Sequence, residues 1–142
     1  MRIRLLMLGK TRRPELRAVF DDYVNRIGRW CQIEVNEVRD AQVAQKKLDA
    51  ERAVTALLLD AGGKPQNSES LARWLGEQRD CGTREIIFVC GDAGGFPDAL
   101  RKRVTQKLSL SPMTYSHELA RVMLVEQLYR ALAILSGSPY PK

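Results

Sequence analysis

At 142 residues, 44% hydrophobic and 28% charged, the chain is long enough to bury one core without staples and is read as a single domain, 1–142. A net charge of +6 suits an anionic partner. Cys31, Cys81 and Cys90, an odd number without C-x-x-C spacing, and one histidine, His117, speak against a disulfide framework, a zinc or other metal site, and a covalent hydrolase. No run is long enough to cross a bilayer and Met1-Arg2-Ile3-Arg4 leads straight into a strand-like segment, so a cytoplasmic protein without a membrane partner is expected.

In chain order, residues 3–8 are an apolar run closed by Gly9, as in a buried strand. Leu16, Val19, Phe20, Tyr23, Val24 and Ile27 recur at helical spacing, with Gly28 at the end. Ile33, Val35 and Val38 alternate loosely and predict a second strand, and residues 42–52 predict a helix with polar residues on one side. Residues 54–59 are a continuous apolar run leading into Asp60-Ala61-Gly62-Gly63-Lys64-Pro65. A short helix follows over 68–78, with Leu71, Trp74 and Leu75 on one face. Residues 85–90 form another buried strand, ending in Gly91-Asp92-Ala93-Gly94-Gly95. Residues 97–106 predict a basic amphipathic helix with Ala99, Leu100 and Val104 inward, and 108–110 a last short strand. Strands alternating with helices predict an α/β domain with a mainly parallel sheet and helices on both faces.

The last helix departs from the ordinary amphipathic form. Ser116 suits its N-cap, Glu118 complements the dipole in its first turn, and Gly137 suits a left-handed C-cap. Between them, Glu118, Gln127 and Arg130 are scattered among Leu119, Val122, Met123, Leu124, Val125, Leu128, Leu132, Ile134 and Leu135, leaving no clean polar face. A helix apolar nearly all round is buried on more than one side. Its own sheet is expected to cover one side and a second subunit the other, making a homodimer. Glu126 and Arg130, four apart, are expected to pair.

In parallel sheets ligands sit at the carboxyl ends of the strands. Three loops meet there on this reading: those after Leu59 and Cys90, and the 110–115 run. Gly91 to Gly95 is neither the G-x-G-x-x-G fingerprint nor a Walker loop, and by itself suits a tight strand-to-helix turn. Asp60 suits either a ligand hydroxyl or a loop cap. The 110–115 run suits a slot for a flat ring, and equally an ordinary loop. Arg2, Arg4, Lys10, Arg12, Arg13, Arg17, Arg26 and Arg29 crowd the first thirty residues, and Arg101-Lys102-Arg103 with Lys107 form a second cluster. Such clusters fit a nucleic-acid footprint or the solvated faces of helices.

The ordered combination is more specific than its parts. Gly9-Lys10, Tyr23-x-x-Arg26, Leu59-Asp60-x-Gly62-x-Lys64 and Phe88-Val89-Cys90-Gly91 are followed by Leu108-Ser109-Leu110-Ser111-x-Met113-Thr114 and His117-Glu118-Leu119-Ala120-Arg121. Glu126-Gln127-Leu128-Tyr129-Arg130-Ala131 and Pro139-Tyr140 close the series. Over essentially its whole length the chain resembles the bacterial pseudouridine N3-methyltransferases of large-subunit ribosomal RNA, the H-type family of the SPOUT class. The resemblance implies a C-terminal trefoil knot, a homodimer, and S-adenosylmethionine as methyl donor. It also implies that Leu59, Gly91, Leu110, Ser111, Pro112, Met113, Thr114 and Tyr115 bind that cofactor. The implied substrate is a pseudouridine of 23S ribosomal RNA in the assembled ribosome, with both basic clusters on phosphates.

Three positions depart from the resembled pattern. Pro141 stands where the family has a histidine in the tail that reaches the active site, leaving Tyr140 and Lys142 as candidate catalytic residues. Asp92 stands in place of the second loop glycine, where it either disturbs the approach to the cofactor or binds a ribose hydroxyl. Ser116 replaces a proline before His117, itself read as a structural residue at the helix start. The alternative to an active enzyme is a catalytically impaired, knotted protein that binds RNA or the ribosome. A third reading is a nucleotide-binding α/β domain unrelated to RNA.

Overall fold

The computed structural model describes residues 1–51 and 54–140. Five strands, β1 (Arg2–Leu8), β2 (Gln32–Val38), β3 (Thr55–Leu59), β4 (Glu85–Cys90) and β5 (Gln106–Leu108), form one sheet in the order β2-β1-β4-β3-β5, with every pairing parallel. Five helices connect and follow them: α1 (Pro14–Ile27), α2 (Ala41–Ala50), α3 (Ser68–Asp80), α4 (Asp98–Arg103) and α5 (His117–Ser136). Among the described residues, no helix is long and apolar enough to cross a membrane.

Strand alternation divides the core in two. Ile3, Leu5, Met7, Ile86 and Phe88 face one way and pack against Phe20 and Ile27 of α1, Leu71 and Leu75 of α3, and Leu124 and Leu128 of α5. Leu6, Leu8, Ile87 and Val89 face the other way, against Ala44 and Leu48 of α2 and Leu100 of α4. A parallel sheet covered on both faces reads as continuous apolar runs, as β4 does from Ile86 to Cys90, all buried. Each fully buried Leu or Phe contributes about 1.5–3 kcal/mol of transfer free energy.

Several boundaries differ from the sequence expectation. Helix α4 stops at Arg103, and the chain is already extended at Val104, whose side chain still reaches the core. The β-branched Val104-Thr105 pair favours extended backbone, and the last strand therefore starts at Gln106 and pairs Leu108 with Leu59. Ala99 is exposed rather than inward. Helix α2 begins at Ala41 because Asp40 caps it, its side chain accepting from the Val43 amide at 3.0 Å. Arg52, the expected end of that helix, lies outside the described residues.

Helix α5 keeps its expected ends and its expected ion pair. Ser116 accepts from the Leu119 amide at 3.4 Å, Gly137 adopts φ 74°, and Arg130 Nη2 lies 2.6 Å from Glu126 Oε1. The expectation that its own sheet covers one side and a second subunit the other leaves out two helices of its own chain. Helix α5 lies between α1 and α3, and these two helices bury much of its apolar girth. What stays open is Leu119 at its start and Ile134 near its end, 40% and 42% exposed.

Candidate functional site

At the carboxyl end of the sheet, the loops after β3, β4 and β5 surround a cavity of about 430 Å³, the size usual for small-molecule sites. Its lining includes Leu59, Asp60 and Ala61 from the first loop and Cys90, Gly91, Asp92, Ala93, Gly95 and Phe96 from the second. Leu110, Ser111, Met113, Thr114, Tyr115, Ser116 and His117 come from the third, with Ala120 of α5 and Arg101 of α4. Of the eight residues that the resemblance assigns to a cofactor, seven line this cavity. Pro112 does not.

Each loop has a local reason for its shape. The Asp60 amide donates to the Leu108 carbonyl at 2.9 Å, carrying the sheet's pairing one residue past β3. A Cβ on Gly63 would stand 2.9 Å from Lys107 Cβ, so only glycine lets this loop cross β5 so closely. Asp60 accepts from the Gly62 amide at 2.9 Å and from the Arg101 guanidinium. Partial burial opposes ionisation of Asp60, but these two donors outweigh it and hold the carboxyl below the usual carboxylate range.

The glycine loop turns on Gly95, at φ 75°, whose amide donates to the Asp92 carbonyl at 3.0 Å. A Cβ on Gly91 would meet the Gly95 carbonyl oxygen at 3.3 Å. Asp92 accepts the Gly94 amide at 2.8 Å, so this carboxylate braces its own turn. Cys90 sits at the floor, where burial pushes its thiol up to about 12, and it stays protonated at neutral pH.

The third loop is pinned from beneath. Buried Ser109 donates to the carbonyls of Ala61 and Ser111 at 3.3 and 3.1 Å, and Ser111 Oγ accepts the Met113 amide at 3.0 Å. Met113 is 72% exposed over the opening, a flexible apolar side chain suited to closing on a ligand.

Under the cavity lies a polar contact that the sequence reading treated only as part of a motif. Arg121 is 1% exposed and donates to the carbonyls of Leu8, Gly9 and Gly91 and to Thr11 Oγ1. Glu118, one turn earlier, accepts the Arg13 and Arg12 amides at 2.9 and 3.0 Å, which hold its carboxyl below the usual range. Phe96, its ring centroid 5.7 Å from the Arg101 guanidinium, escapes the sequence reading, and Arg101, expected there as part of a phosphate-binding cluster, is instead paired with Asp60. The only signal for Phe96 was an aromatic beside a glycine loop, and Arg101 reaches Asp60 from 41 residues away.

Tyr140 does not line the cavity. Its hydroxyl donates to Glu126 at 2.9 Å and lies 3.2 Å from the Tyr23 hydroxyl, and its ring meets Tyr129 edge-on at 4.7 Å. Partial burial, then these two hydrogen bonds, raise its pKa, so the group is a phenol rather than a phenolate. Pro141 and Lys142 lie outside the described residues.

The basic clusters are partly consumed within the fold. Arg2 and Arg4 pair with Glu34, Glu51 and Glu85 at the amino end of the sheet, Arg17 pairs with Glu37, and Arg103 holds Asp49 and the Leu48 carbonyl. Lys10, Arg12 and Lys102 are exposed and make no ion pair among the described residues.

The family model described as "Predicted SPOUT methyltransferase" matches residues 1–141. The chain belongs to the SPOUT methyltransferase family. Similar curated relatives include proteins named ribosomal RNA large subunit methyltransferase H. Those of Geotalea daltonii and Pelobacter propionicus are 41% and 42% identical, each alignment covering 99% of both chains. The one from Koribacter versatilis is 38% identical, over 99% of this chain and 97% of its own.

Proposed function

We propose that this chain is an S-adenosylmethionine-dependent methyltransferase acting on N3 of a pseudouridine in large-subunit ribosomal RNA of the assembled ribosome. The single observation that carries this reading is the 430 Å³ cavity, lined by seven of the eight residues that the resemblance implies for the cofactor. The residues present fit that cofactor. Glycine at position 91 leaves room for the Gly95 carbonyl and so sets the shape of the loop that walls the cavity, apolar Leu59, Leu110 and Met113 suit a flat ring, and backbone groups of the 110–115 loop suit its polar edge. When bound, S-adenosylmethionine supplies a methyl group on a sulfonium.

The chain's own residues then have positioning and proton-related work. Holding the acceptor nitrogen in line with the methyl group accounts for much of the rate in such a transfer. Ring N3 must also lose its proton, which favours a nearby cation or hydrogen-bond donor for the anionic ring. Tyr140, as a phenol, suits a donor once its hydroxyl is released from Glu126. Lys142 suits the cation. Because Tyr140 stands apart from the cavity of its own chain, we assign the Tyr140–Lys142 tail to the site of a partner in a homodimer. The trefoil knot and a cytoplasmic location belong to the same reading, and Lys10, Arg12 and Lys102 supply phosphate contacts.

The test is to incubate purified protein with ribosomes lacking the modification and labelled S-adenosylmethionine. Label is expected on one pseudouridine of the large-subunit RNA. Neither binding of the methyl donor nor transfer of label would sink the reading. Pro141, where the resembled family has histidine, favours one second reading: a ribosome-binding protein that does not catalyse. That reading expects salt-sensitive ribosome binding without methyl transfer, and little change on Pro141→His.

A further inference from the structure

Arg121 is a buried cation that makes no hydrogen bond to a carboxylate among the described residues; its two terminal nitrogens are spent on three backbone carbonyls and the Thr11 hydroxyl, while its Nε is left without a partner. Its Nη2 donates to the Leu8 carbonyl at 2.6 Å and the Gly91 carbonyl at 3.4 Å, and its Nη1 to the Gly9 carbonyl and Thr11 Oγ1, both at 3.1 Å. These acceptors come from the end of β1, the segment after it, and the first residue of the glycine loop. Glu118 holds the Arg12 and Arg13 amides from the same helical face, three residues earlier. The first turn of α5 thus grips residues 9–13, which carry exposed Lys10 and Arg12, and through Arg121 it also grips the backbone at Gly91. His117 and Ala120, on that same turn, line the cavity.

Burying a guanidinium is costly, and here the unpaired Nε leaves part of that cost uncompensated. An arginine kept here serves a geometric need that an apolar residue could not meet, namely tying three carbonyls and a hydroxyl from separate segments to one rigid plane. We infer that Arg121 is a positioning residue through which the methyl-donor loop at Gly91 and the basic 9–13 segment share a single anchor, with Glu118 fixing only the basic segment. This rests on the methyltransferase reading above. It predicts that the two residues differ in what they control.

Three chains test it: wild type, Arg121→Lys and Glu118→Gln. Each is titrated with S-adenosylhomocysteine by calorimetry and assayed for KM with ribosomes lacking the modification. A lysine ammonium cannot span four acceptors, and losing hydrogen bonds to a charged group corresponds to about tenfold in affinity. Arg121→Lys is therefore expected to weaken S-adenosylhomocysteine about tenfold and to raise the KM for ribosomes as well. Glu118→Gln is expected to raise only the KM. A general loss of stability would not produce that split. If Arg121→Lys fails to fold, Thr11→Val removes the one side-chain acceptor, from a half-buried position, and is expected to raise the KM for ribosomes at unchanged cofactor affinity. A folded Arg121→Lys with wild-type values overturns the inference, as does a Glu118→Gln that weakens cofactor and ribosome alike, or a silent Thr11→Val. Wild type that binds no S-adenosylhomocysteine would overturn the methyltransferase reading together with it.

Discussion

Two residues in the loop after β3 set limits that can be measured. Gly63 faces Lys107 Cβ, and any added Cβ would lie at 2.9 Å from it, inside van der Waals contact. Gly63→Ala is expected to cost about 1–3 kcal/mol, as overpacking does, read as a lower midpoint in urea unfolding with the slope unchanged. Asp60 makes a pH prediction. Its folded pKa lies below the unfolded value because the Gly62 amide and Arg101 overcome the effect of burial. A depressed carboxyl stabilises the fold above its unfolded pKa, about 4, and that stabilisation is lost as pH falls through the lower folded value. Thermal midpoints of wild type should thus fall more steeply below pH 4 than those of Asp60→Asn. Equal slopes would mean that the Arg101 contact does not persist in solution. Asp92 shows what sequence leaves open at this scale: a carboxylate in a glycine loop reads as a disturbance or a ligand group, and only the 2.8 Å contact from the Gly94 amide shows it bracing its turn.

At the scale of elements, helix α5 offers the clearest test. Gly137 closes it at φ 74°, a conformation that costs a residue with a Cβ about 1 kcal/mol, so Gly137→Ala should lower the thermal midpoint by about 4 °C. The same substitution should loosen Tyr140, three residues on, from Glu126, measurable as a change in tyrosine fluorescence. An unchanged midpoint would show that the end of α5 frays in solution. Local signals of this kind, caps, continuous apolar runs and a left-handed glycine, made β1, β3, β4 and both ends of α5 legible before the structure. The end of α4 was not legible, because Val104 keeps the helical apolar spacing while its backbone has already turned toward β5. Nor was the flanking of α5 by α1 and α3, since apolar girth reports how much of a helix is covered and says nothing of what covers it. The cavity was legible as three loops meeting at one sheet end, a consequence of parallel topology. Its partners from far along the chain, Arg101 and Arg121, were not, because their contacts depend on tertiary placement.

At the scale of the whole molecule, the question is which chain completes which cavity. Tyr140 is tied to Tyr23 and Glu126 and does not line the cavity of its own chain, while Leu119 and Ile134 remain exposed on α5. The proposed homodimer, burying part of α5 and carrying each tail to the opposite cavity, would account for both observations. Two inactive chains can test it. Gly91→Val crowds the glycine loop but keeps the tail, and a chain truncated after Pro139 loses the tail but keeps the cavity. Each is first checked by light scattering for dimer formation, then the two are mixed under conditions that let subunits exchange. With random exchange half the dimers are mixed, and each has one site with an intact cavity and an intact tail, so activity should recover to about a quarter of wild type. If the tail instead served its own chain, every mixed dimer would pair an intact cavity with a missing tail and a crowded cavity with a useless one. No activity would then return at any mixing ratio, and the assignment of the tail to the partner's site would have to be withdrawn.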